Sequence, residues 1–145
     1  MKLLGIATRD KNQHPMQLVQ MATVTLSEGI EHDFRRKPGR RQVTVLSKQQ
    51  WQQACDDINL ALPWTIRRAN LLLDNIIFKQ EHVGKTLKIG DSLELLICLE
   101  TEPCHKMDQQ HHGLRQALTP DWRGGVCCKV TKSGEIKLGD KFSII

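Results

Sequence analysis

The chain has 145 residues, 39% of them hydrophobic and 26% charged, which is the make-up of a single soluble globular domain. No run approaches the roughly 20 apolar residues of a membrane span, and MKLLGIATRDK is too short and broken for a signal peptide. A cytoplasmic protein with no membrane partner is therefore expected. The net charge of +5 favours anionic partners, but Tyr is absent and only three Phe and three Trp occur, so platforms for stacking nucleic-acid bases are scarce and a small phosphorylated ligand explains the charge equally well.

In chain order, MQLVQMATVTL (16–26) has the composition of a strand, and the polar stretch 28–41 is a loop punctuated by Pro38-Gly39. RQVTVLS (41–47) is a second strand. Ser47 followed three residues later by Gln50 is a capping-box signature, and Trp51, Ala54, Cys55 and Ile58 recur at helical spacing, which predicts an amphipathic helix over 48–59 with Cys55 in its core-facing stripe. After Pro63 an extended segment is expected over 65–78. LKIGDSLELLI (87–97) and IKLGDKFSII (136–145) share a pattern that predicts tight turns leading into strands. Between them lie a loop with one short helix near 112–118 and a hairpin around Ser133-Gly134. Seven or eight short strands against one clear helix predict a mainly β fold, a barrel or a sandwich, in one domain spanning 1–145.

Two stretches carry chemistry. In LPWTIRRANLLLDN (62–75), an extended segment would point Arg68 and Asn70 to one face and Arg67 to the other. Arg offers a planar fork for phosphate, and Asn offers a donor and an acceptor for a heterocycle edge. Solvated arginines, or arginines paired with acidic residues, satisfy the same pattern. In EPCHKM (102–107), Pro103 fixes the backbone before Cys104, and the neighbouring His105 and Lys106 favour a thiolate, the form that acts as nucleophile and metal ligand. The five cysteines form no CxxC pair and do not describe a disulfide framework. Cys98, Cys104, His105, His111 and His112 fit no standard zinc spacing. Trp64 and Trp122 are candidates for pocket walls, though packing is the commoner use of such residues. Cys127 and Cys128 would alternate faces on a strand, placing at most one in the core.

With these residues in hand, the sequence resembles a MOSC domain, the module named for the C-terminal part of molybdenum cofactor sulfurase, and in particular its small free-standing bacterial members. The likeness runs through HPMQLVQMATVTLSEGIEHDF, RRKPGRRQVTVLSKQQW, LPWTIRRANLLLDN, LKIGDSLELL, EPCHKMDQQHHGLRQAL and DWRGGVCCKVTKSGEIKLGD. The resemblance implies a MOSC-type β-barrel with one clear helix and short helical turns, and a pocket for a molybdopterin-type molybdenum cofactor. It assigns Arg68 and Asn70, with Arg67 as a weaker candidate, to the pterin and phosphate, and Cys104 to molybdenum or to sulfur. Glu102 stands where relatives with reductase activity tend to carry Arg, and Arg36 where small members carry Gly. Pyridoxal phosphate binding enters only as a family-level association, with no pyridoxal-binding lysine motif evident.

Three functions follow as alternatives. The first is a molybdenum-dependent reductase of N-hydroxylated compounds, which would need a separate electron-transfer protein. The second is a sulfur carrier holding a persulfide on Cys104 for cofactor or metal–sulfur cluster assembly, which would need a cysteine desulfurase to load it. The third, a nucleic-acid binder with a basic surface, has the least support. An exposed strand edge would also suit a homodimer.

Overall fold

The computed structural model describes every residue except 12, 13, 35 and 36, so the Arg36 position lies outside the described residues. Eleven strands and three α-helices are present among those described. The strands are β1 (Leu3–Thr8), β2 (Gln17–Val19), β3 (Met21–Thr25), β4 (Gly29–Ile30), β5 (Val43–Ser47), β6 (Leu71–Leu73), β7 (Thr86–Ile89), β8 (Leu93–Glu100), β9 (Val126–Lys132), β10 (Gly134–Lys137) and β11 (Phe142–Ile144). The helices are α1 (Lys48–Asp57), α2 (His105–Gln110) and α3 (Leu114–Leu118). None is long and apolar enough to cross a membrane.

An eight-stranded sheet runs β11-β7-β8-β9-β5-β6-β1-β2, and a three-stranded sheet runs β10-β3-β4. All pairings are antiparallel except β5–β6, where Val45 faces Leu71 and Leu46 faces Leu72 in a parallel ladder. The mainly β expectation holds, but among the described residues no continuous ladder closes the large sheet into a barrel. A single bridge, Lys2 to Lys141, ties the start of β1 to the start of β11.

The periodicity of the sequence builds two cores. Along β8, Leu93, Leu95 and Ile97 are buried in alternation, as expected of a strand with one covered face. β6 is buried throughout: Leu71 and Leu73 join the core between the sheets, and Leu72 joins a second core beneath the helices with Trp51, Ala54, Cys55 and Leu114. Cys55 therefore lies in the core, as its place in the helical stripe indicated. Helix α1 begins where expected and ends at Asp57, with Asn59 in the left-handed region beyond it.

Only half of the predicted capping box forms. The Ser47 Oγ accepts from the Gln50 N–H at 3.2 Å, but the Gln50 side chain turns away to the backbone of Phe78 and to the Asp121 carbonyl. Gln50 is 1% exposed, and at that depth its amide is better satisfied by three fixed partners than by one frayed helix end.

Both Gly-Asp turns form. Gly90 (φ +67°) links β7 to β8, and Gly139 (φ +91°) precedes β11, each in a backbone region that suits glycine. The hairpin at Ser133-Gly134 does not form. The chain crosses there from one sheet to the other, and β10 pairs with β3 instead of β9. A Cβ at Gly134 would lie 2.5 Å from the Leu93 nitrogen, so the crossing runs directly over the β8 backbone. Region 16–26 forms two strands, β2 and β3, that belong to different sheets. A helix near 112–118 is present as α3, but α2 was expected to be loop.

Candidate cofactor site

The segment after Pro63 is not a strand until Leu71. Trp64–Arg67 form a 3₁₀ turn, held by the Ile66 N–H to the Pro63 carbonyl and the Arg68 N–H to the Thr65 carbonyl, and Arg68 caps it at φ +66°. The alternation assigned to Arg67, Arg68 and Asn70 therefore fails, because a 3₁₀ turn rotates successive side chains by about a third of a turn. All three nevertheless line one cavity of about 630 Å³, a volume in the range of small-molecule sites.

Cys104 lies on the wall of the same cavity. It is exposed, sits in extended backbone directly before α2, and accepts the Met107 N–H at its carbonyl. Arg67, expected to face away, is the deepest cation of the site at 8% exposure. Burial pulls its guanidinium below the ordinary arginine value, and the Cys104 and Cys127 sulfurs oppose that shift. Arg68 is half-buried and donates from Nη1 to the His14 carbonyl at 2.6 Å. Asn70 is 4% exposed. Its Oδ1 accepts from the N–H and the hydroxyl of Thr44, both at 3.1 Å, and its Nδ2 donates to the Ala7 carbonyl at 3.1 Å.

The cavity has further walls that local sequence did not reveal. Arg9, Arg41, Thr101 and Cys127 come from segments far apart in the chain. Both adjacent cysteines are buried, Cys128 in the core and Cys127 toward the cavity, where its sulfur lies 3.1 Å from the Thr101 Oγ1. The pair Gly124-Gly125, one residue before them, was the available signal, since glycines mark close backbone approach. Trp64 and Trp122 pack against the two cores and are not part of this wall. Among the described residues, five basic ones (Arg9, Arg41, Arg67, Arg68 and Lys106) and two acidic ones, Asp33 and Glu102, line the cavity, a balance that suits an anion.

This fold belongs to a known class. Residues 24–143 match the family model of the MOSC domain, and the chain is a member of that family, which is associated with molybdenum cofactor binding. No curated protein matches it in sequence. Among solved structures it is similar to the YuaD protein from Bacillus subtilis, with a TM-score of 0.84 and 16% identity over 99% of this chain and 94% of that one. It is also similar to YiiM from Geobacillus stearothermophilus (TM-score 0.76, 13% identity, 98% and 73% covered) and to YiiM from Escherichia coli (0.72, 14%, 100% and 70%). At such identities the likeness is one of fold.

The donor set suits the group associated with the family. An exposed thiol is a soft ligand for a transition metal, and buried and half-buried guanidinium groups on the same wall suit phosphate.

Proposed function

We propose that the cavity binds a molybdopterin-type cofactor, with the Cys104 sulfur as the protein's ligand to molybdenum, and that the protein is a molybdenum-dependent reductase of N-hydroxylated compounds. When bound, the cofactor supplies the two-electron chemistry that removes oxygen from an N-hydroxylated base or amine. The chain's own residues bind and orient. Arg68 and Arg9 offer cationic groups for the phosphate, Arg67 holds a fixed charge beside the thiol, and Asn70 has one amide N–H left to offer beyond its protein bonds. A separate electron-transfer protein completes the cycle. The observation that carries this reading is the convergence of the Cys104 thiol and the Arg67 and Arg68 guanidinium groups, distant in sequence, on one cavity.

One observation favours a second reading. Cys127 places another thiol on the same wall, which suits a sulfur carrier loaded on Cys104 by a cysteine desulfurase. Metal analysis separates the two. Protein purified from cofactor-competent cells should carry stoichiometric molybdenum, and Cys104→Ala should lose it. Sulfur released by a reducing agent, without molybdenum, would establish the carrier instead. Salt-dependent retention of nucleic acid, with neither, would reject both.

A further inference from the structure

Arg67 is buried, yet among the described residues no carboxylate lies within ion-pairing distance of it. Two of its nitrogens instead grip backbone carbonyls: Nε donates to Gly124 at 3.1 Å and Nη2 to Thr101 at 2.7 Å. These carbonyls belong to the two segments that flank Cys104. Thr101 lies three residues before it, and its own N–H donates to the Gly125 carbonyl at 2.9 Å. Gly124 belongs to the turn leading into β9. A Cβ at Gly124 would lie 2.3 Å from the Thr101 carbonyl oxygen, 3.1 Å from Arg67 Nη2 and 3.5 Å from Pro103 Cδ. The absence of a side chain there is what lets the Thr101–Cys104 segment close against the turn.

We infer that Arg67 is a positioning residue for Cys104: by bridging the Thr101 and Gly124 carbonyls it fixes where the Cys104 sulfur stands on the cavity wall. The inference rests on the proposal that Cys104 is the working sulfur. Arginine is required because its planar fork presents two donors to two acceptors at once, whereas a lysine ammonium is a single point that cannot span them. The role also accounts for a buried cation without a carboxylate, since two backbone carbonyl dipoles accept its hydrogen bonds.

Hydrogen exchange on the cofactor-free protein tests this without relying on molybdenum. In Arg67→Lys, amides over 101–107 should exchange about tenfold faster, while those of β1 and α1 keep their wild-type rates. Gly124→Ala should produce the same local pattern by pushing the segment from the other side. Guanidinium ion added to Arg67→Ala should restore protection, and ammonium should not. Arg68→Lys should leave 101–107 unchanged. Wild-type exchange over 101–107 in both Arg67→Lys and Gly124→Ala overturns the inference, as does loss of protection spread evenly over the large sheet. Wild-type protein lacking molybdenum would defeat the proposed function while leaving this result standing. Normal molybdenum content, with unchanged exchange in Arg67→Lys, would do the reverse.

Discussion

Asn70→Ala separates a structural amide from a ligand-binding one. The Asn70 side chain is 4% exposed and joins two strands: Oδ1 holds the Thr44 N–H and hydroxyl of β5, and Nδ2 holds the Ala7 carbonyl of β1. Truncation leaves the Thr44 N–H without that acceptor and the Ala7 carbonyl without that donor. Each loss costs about 1–2 kcal/mol in a buried setting, so the sum is about 3 kcal/mol once the small void is counted. That is a large fraction of the roughly 5–15 kcal/mol by which domains are stable. Urea unfolding followed by tryptophan fluorescence should show a midpoint lower by about 1–2 M at unchanged slope, given a slope of about 2 kcal/mol/M. Arg68→Ala, which removes a bond to one exposed carbonyl, should change stability by less than about 0.5 kcal/mol. If Asn70→Ala matches the wild type within that margin, the amide does not brace the sheet, and the reasoning about its buried partners is wrong.

Ser47→Ala should also destabilise, by about 2 kcal/mol, because one hydroxyl both accepts the Gln50 N–H and donates to the Ile76 carbonyl at 2.6 Å. Urea unfolding reads this directly, and a loss below about 0.5 kcal/mol would contradict the double role. Alkaline pH should weaken the fold through its buried thiols. Burial raises Cys128 well above the ordinary thiol value of 9.0, and raises Cys55 and Cys98 to a lesser degree. The unfolded chain then gives up these protons first. The stability they provide is complete below about pH 9 and declines as pH rises toward the folded values. Cys128→Val should flatten that decline, and an identical alkaline loss in the variant would rule out Cys128 as its source.

What the sequence revealed was local, and what it hid was pairing. Helix α1 was legible because Trp51, Ala54 and Cys55 repeat at the helical period and Ser47 caps them. The Gly90 and Gly139 turns were legible from their turn chemistry. The short α2 was not, because HKMDQQ buries only Met107 and so has no apolar period to read. The extended segment expected over 65–78 failed at its start, where Trp64–Arg67 form a 3₁₀ turn and Arg68 takes left-handed backbone, while the leucine run did form β6 over Leu71–Leu73. That error gave Arg67 the wrong face. The path of β10 toward β3 was invisible because strand partners are chosen by the whole sheet. Arg9, Arg41 and Cys127 could enter the site only after those partners were known.

Among the described residues, the walls of the cavity draw on Arg9, Met16 and Asp33 and on the stretches 41–44, 67–70, 101–110 and 124–127, reaching from the end of the first strand to the last third of the polypeptide. No fragment holds enough of the hollow to admit a guest. Because long-range pairings are slow to assemble, the chamber exists only when the rest of the molecule is finished, and admission becomes a check on completed folding. A molecule seated there acts as a cross-brace between distant strands, so its binding energy strengthens the entire sheet and not merely the loops it touches.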